Sequence, residues 1–263
     1  ALLAMRPQRR CSRDYLTVVL GRPPRLGERW RHFYAFADFL LVKLRVARGI
    51  EHRGAFDPAH AGDFAPLVAS SEPAFFGSFH FGRSDLLGYL LGRRFQRRVF
   101  MVRLQMANAT DTRLLGRLFG EWVSFVWVNE PENLLFALKE AVTGGGSLAL
   151  QCDRLEFAAK TEAFHFLGEN RVFPFTIYHL AIIFDRPVLF CTGIPGATRD
   201  DTVLQSSPVF RPDRTLGRLD NLRRAREHFQ AVLAELETLV RQHPFLWFNF
   251  LPLNPEAPPR PDR

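Results

Sequence analysis

Lysine is almost missing from this chain. Of its 35 basic residues only Lys43, Lys139 and Lys160 are lysines, so arginine carries a formal charge of +8. Planar guanidinium groups suit phosphate, anionic lipid headgroups, nucleic acid or an acidic protein surface. The bias is equally what a GC-rich genome produces. No RNA-binding signature and no Cys/His pair at zinc spacing accompanies the charge, which argues against nucleic acid and a structural metal. Cysteine is scarce too. Cys11, Cys152 and Cys191 are an odd number without ligand spacing, and they imply a reducing compartment with no disulfide framework. No run of roughly 18 or more apolar residues occurs, so the sequence holds no spanning helix of its own. It starts at Ala1 rather than Met, which leaves room for a removed N-terminal anchor. A G-x-S-x-G elbow is absent, which disfavours a serine hydrolase. Gly144-Gly145-Gly146 precedes a strand and no Lys-Ser/Thr follows it, so it is not a phosphate loop.

What is abundant is phenylalanine, 26 residues against 4 Tyr and 4 Trp, in a chain of 263 residues that is 47% hydrophobic. That is enough for a full core, and it suits either dense core packing or a site that accepts apolar material. Apolar runs alternate with helical patterns. Strands are expected near 74–79, 99–102, 123–128, 147–151 and 187–194, and helices near 86–91, 108–119, 131–142, 176–184 and 220–242. The alternation predicts a single α/β domain over residues 1–255, with a mixed, mostly parallel sheet flanked by helices. Residues 1–50 read as a basic helical part. Its second helix, from Leu26 to Val46, carries Trp30, Phe33, Phe36, Leu40, Leu41 and Leu44 at helical spacing, a pattern that fits a protein core or a membrane interface. Residues 49–65 read as a polar connector and 256–263 as a disordered tail.

The stretch Pro73–Leu91, PAFFGSFHFGRSDLLGYLL, holds the chemistry. An apolar strand ends on His80, a Gly-containing turn follows, and Asp85 heads an apolar helix. Asp85 at this spacing can accept from one imidazole nitrogen and leave the other to take a proton from a substrate. The bland alternative is a hydrogen-bonded core histidine beside a helix cap. The bare pattern is weak, since chance supplies roughly one His-x-x-x-x-Asp/Glu match in such a composition. His52–Asp57 is a second match, but it lies in the polar connector.

Further blocks follow in order: LLGRLFGEW, LKEAVTGGGSLALQCDRLE, FHFLGENRVFPFTIYHLA and HPFLWFNF. Together with GSFHFGRSDLLG they resemble the lipid A biosynthesis (lauroyl/myristoyl) acyltransferase branch of the lysophospholipid acyltransferase superfamily, over about Arg13–Leu253. The resemblance implies a glycerolipid acyltransferase-like fold. It also implies transfer of a fatty acyl group from a thioester of acyl carrier protein or coenzyme A to a hydroxyl of a lipid A-like acceptor, with no other cofactor and no acyl-enzyme. His80 would be the general base and Asp85 its orienting partner. Arg117 (with Arg113 as competitor), Asp153, Arg83 and Arg154 would bind substrate, and Phe75, Phe79, Phe81, Phe164 and Phe166 could line an acyl channel as well as pack a core. The implied setting is the cytoplasmic face of an inner membrane, peripheral or anchored by a preceding segment. Three features depart from the family: Asp153 is followed by Arg154 where the family usually has Gln, the N-terminal membrane helix common in the family is missing, and the Glu-Gly-Thr block of glycerolipid acyltransferases is absent, which disfavours lysophosphatidate as the acceptor. They leave open another acceptor, such as an ornithine lipid, a mannoside or a polyene lipid, or a non-catalytic lipid-binding protein. Nothing in the sequence indicates an oligomeric state.

Overall fold

A computed structural model describes residues 5–58, 62, 64–103, 122–127, 131–155 and 158–253. The helix expected at 108–119, with Arg113 and Arg117, and the tail at 256–263 lie outside the described residues. In chain order the elements are α1 (Arg6–Leu20), α2 (Leu26–Ala47), β1 (Arg53–Phe56), α3 (Phe64–Ala69), β2 (Phe75–Ser78), α4 (Leu87–Phe95), β3 (Val99–Arg103), β4 (Val123–Trp127), α5 (Pro131–Thr143), β5 (Ser147–Gln151), β6 (Thr161–Phe166), β7 (Glu169–Pro174), α6 (Thr176–Phe184), β8 (Val188–Pro195), β9 (Asp201–Ser206) and α7 (Arg218–Gln242). A single 3-10 turn, Ser84–Leu86, leads into α4.

Seven strands form one sheet in the order β1-β9-β8-β2-β5-β3-β4, and β6 and β7 form a separate hairpin. Among the described residues, only the β8–β9 pair is antiparallel within the large sheet. The chain is thus α/β, with a mostly parallel mixed sheet flanked by helices. Parallel central strands are covered on both faces, which is why β2 and β8 read as continuous apolar runs. Successive residues of β2 serve opposite cores. Phe75 joins a cluster with Tyr178, Phe190 and Phe229, while Phe76 joins one with Val42, Leu86 and Leu189. Phe79, Phe81, Phe164 and Phe166 belong to the first cluster, with Phe164 edge-on to Phe229 at 5.0 Å. These rings form the core, not an open channel.

The stretch 49–65 is not merely a connector. Arg53–Phe56 is the edge strand β1, paired with β9. The second His-x-x-x-x-Asp match therefore starts on a buried histidine, with His52 Nε2 2.7 Å from Thr202 Oγ1.

Two buried histidines make the fold sensitive to acid. Burial draws His32 down to about 4, against the pull of its bond to the Trp247 carbonyl. Burial, and then the Arg83 charge, draw His52 down to about 4, against Asp200 and Asp201. The unfolded chain takes up protons near pH 6.5 that the folded chain refuses until about 4, so stability falls as pH drops through that window. His32 alone accounts for a loss on the order of 3 kcal/mol when the window is fully crossed. The urea midpoint should fall clearly between pH 7 and about 4.5; an unchanged midpoint would contradict neutral burial of both rings.

Candidate active site

β2 and β5 are neighbouring parallel strands in register, with Ser78 opposite Gln151. His80 and Asp153 each lie two residues beyond those partners, so both leave the sheet at the same level. The Cys152 N–H donates to the Ser78 carbonyl at 2.8 Å and carries the ladder one step further. Open α/β sheets bind ligands outside the carboxyl ends of their strands.

The His80 ring donates from Nδ1 to Asp153 Oδ1 at 2.7 Å. Asp153 Oδ2 accepts from the His80 backbone N–H and from Trp247 Nε1–H, both at 2.8 Å. Its side chain is fully buried. Burial alone would raise the Asp153 carboxyl, but the His80 charge and these three donated bonds outweigh it and hold the group below the usual carboxylate range. A carboxylate can only accept, so the neutral His80 ring carries its proton on Nδ1 and presents a lone pair at Nε2. No described residue bonds to Nε2, and the side chain keeps 18% of its surface exposed.

The loop after His80 is stapled on both sides. The Gly82 N–H donates to the Leu246 carbonyl and the Arg83 N–H to the Gly193 carbonyl, both at 2.7 Å, while the Phe248 N–H donates to the His80 carbonyl at 2.6 Å. The N–H groups of Phe81 and Ser84 bond within the loop. All four amides from Phe81 to Ser84 are thus engaged.

Asp85 does not orient His80. The pair expected from the motif is replaced by His80–Asp153, because the β2–β5 register brings Asp153 to the ring and fills Nδ1. Asp85 instead accepts from Lys43 Nζ at 3.1 Å and from Gln151 Nε2 at 2.7 Å, tying α2 to the end of β5. Arg83 is buried; its guanidinium donates to the Asp201 carbonyl at 2.6 Å and lies 3.5 Å from Asp38. It anchors the loop to β9 and α2 rather than standing exposed in a turn. Arg154 follows Asp153 directly, and its Nε is buried with no hydrogen-bond partner among the described residues. Cys152 offers no nucleophile, since burial and then the Asp153 charge push its thiol far up.

A cavity of about 580 Å³ borders the loop, walled by Arg31, Asp38 and Phe39 of α2, Arg83, Phe245 and Phe248. A smaller one of about 140 Å³ touches Asp153, Arg171, Trp247 and Asn249. Neither is lined by the His80 ring itself; both share walls with the segment that grips it.

Trp247, Asn249, Lys43 and Gln151 are polar partners of the site that motif reading passes over. Asn249 Nδ2 donates to the Asp153 carbonyl at 2.9 Å. The HPFLWFNF block was the one available signal for Trp247 and Asn249, but nothing in it says which residue they face. No protein family profile matches the chain, and no curated protein is significantly similar to it.

Proposed function

We propose that the protein is a membrane-associated acyltransferase of glycerolipid acyltransferase-like fold. It moves a fatty acyl group from a thioester of acyl carrier protein or coenzyme A to a hydroxyl of a lipid A-like lipid or glycolipid. The observation that carries this reading is the His80–Asp153 pair, with no serine or cysteine among the described residues hydrogen-bonded to the His80 ring and Nε2 without a described partner. A base without a protein nucleophile suits direct attack by a substrate hydroxyl.

In this mechanism Nε2 takes the proton of the acceptor hydroxyl as its oxygen attacks the thioester carbonyl carbon. Asp153 stabilises the imidazolium. The tetrahedral intermediate collapses with cleavage of the C–S bond, and the departing thiolate recovers the proton from Nε2. The carbonyl oxygen needs donors as it gains charge. The Phe81–Ser84 amides are engaged, so Arg154, whose Nε has no hydrogen-bond partner among the described residues, is the described candidate, and the family resemblance adds Arg117. The cavity between α2 and the C-terminal segment, with Phe39, Ile194, Phe245 and Phe248 in its walls and Arg31, Asp38 and Arg83 among them, suits an acyl chain beside a polar head. The outer face of α2 exposes Leu26, Trp30, Tyr34, Leu41 and Leu44 in one helical stripe, Trp30 at 53% and Tyr34 at 69%. With the arginine-borne charge, that stripe suits an anionic membrane surface at the cytoplasmic face of an inner membrane. No described helix is long and apolar enough to cross a membrane.

The test is thiol release from acyl carrier protein or coenzyme A thioesters in the presence of lipid extract, with the acylated product read by mass spectrometry. His80→Ala should lower the rate by about 10²–10⁴-fold, the usual contribution of a general base. Unchanged turnover in that variant, or lipid binding without thioester consumption in the wild type, would end the proposal.

A further inference from the structure

A buried polar chain runs from the N-terminal helices to the candidate base, and donor–acceptor chemistry fixes its direction at every link. Trp247 lies at its centre. Its carbonyl can only accept, so the 2.8 Å bond from His32 puts a proton on His32 Nε2. The neutral His32 ring then accepts at Nδ1 from the Ser12 hydroxyl, 2.9 Å away. The Trp247 indole can only donate, and it does so to Asp153 Oδ2. Ser12, His32 and Trp247 are all buried. Tyr15 braces both rings, at 5.4 Å from His32 and 5.2 Å edge-on to Trp247, and Phe166 meets the indole edge-on at 5.5 Å.

We infer that Trp247 is a positioning residue for the His80–Asp153 pair, and that His32 of α2 holds Trp247 where its indole reaches the carboxylate. The backbone of this one residue is pinned by α2 while its side chain pins Asp153, so the seating of the α1–α2 pair reaches the His80 ring through three hydrogen bonds. The indole and the His80 amide both donate to Oδ2, which turns Oδ1 toward Nδ1. Without the indole the carboxylate loses one of the two donors that fix its rotation, and Nδ1–H is no longer uniquely held. The kinetic part of this inference rests on the acyltransferase reading. The tautomer part does not.

The experiment pairs Trp247→Phe with incorporation of 3-benzothienylalanine at position 247, which keeps the fused-ring shape and lacks the N–H. Histidine ¹⁵N spectra, with the His80 signals assigned by their loss in His80→Gln, report which ring nitrogen is protonated. The wild type should show His80 protonated at Nδ1, and both variants a mixture with the Nε2–H form. Turnover should fall roughly 10–100-fold with KM within about threefold, the pattern of a lost transition-state interaction. Phe166→Leu loosens packing around the same indole but leaves its N–H; it should lower the melting temperature without moving tautomer or kcat. An unchanged His80 tautomer in the benzothienyl protein, or an equal change in Phe166→Leu, would overturn the inference. If the wild type shows no thioester turnover, the functional reading falls and the ¹⁵N spectra still decide the positioning role.

Discussion

Asp153→Asn should lower thioester turnover by about 10³–10⁴-fold, through the tautomer of His80 rather than through loss of the fold. The direction follows from the donors already aimed at Asp153. The His80 amide and the Trp247 indole both donate to Oδ2, and neither can accept. An asparagine at 153 must therefore keep its carbonyl oxygen on that side, which turns its NH2 toward His80 Nδ1. That NH2 can only donate, so the ring proton moves to Nε2, the atom that has to accept the substrate proton. Asp85→Asn should behave differently. It removes the anionic partner of Lys43, an ammonium with 7% of its side chain exposed, and leaves that charge buried beside a neutral amide. Breaking such a pair costs about 3–5 kcal/mol, while turnover per folded molecule should stay within about threefold. Urea midpoints and kcat measured on both variants distinguish the roles. If Asp85→Asn lost kcat as steeply as Asp153→Asn at full stability, the assignment of orienter would return to Asp85.

That reversal of roles marks where sequence reasoning stops for this chain. Strand, turn and helix around His80 are legible because apolar runs and a Gly-containing turn are local signals, and β5 and α6 are recovered residue for residue from composition and breakers. The partner of His80 is a non-local fact. Asp85 is five residues away along the chain and Asp153 is 73, yet the β2–β5 register brings only the second to Nδ1. No spacing rule contains that register. By resemblance Arg83 reads as a substrate contact, whereas here the loop folds under α2 and buries it against Asp201 and Asp38. β1 and β9 are passed over because short strands with polar residues, RGAF at the edge and DTVLQS beside it, resemble connectors until they pair. Trp247 is visible only as part of an aromatic block, and its indole acquires a function from Asp153, not from its neighbours.

The second large effect is expected at Gly82, which carries the loop from His80 toward Asp85. Its φ is +56°, a left-handed conformation, and a Cβ there would collide with the Gly193 carbonyl oxygen. That oxygen belongs to β8 and accepts the Arg83 N–H, so it cannot retreat without breaking the staple. The opposite side is closed by the Gly82 N–H bond to Leu246. Gly82→Ala should therefore cost about 2–5 kcal/mol, combining roughly 1–2 kcal/mol for the left-handed backbone with roughly 1–3 kcal/mol for forcing atoms into a packed site. Gly145 supplies the control. Its φ is +80° but nothing lies within 4 Å of a Cβ, so Gly145→Ala should lose only the backbone share. Any relief of strain at Gly82 must push the loop away from β8 or from the Leu246–Phe248 segment, and the latter also holds the His80 carbonyl and, through Trp247, Asp153. Turnover of the folded Gly82→Ala protein should accordingly fall further than its stability alone requires, while Gly145→Ala keeps full turnover. Equal stability losses in the two variants, read from urea midpoints, would mean that the loop is not pressed against β8 in solution.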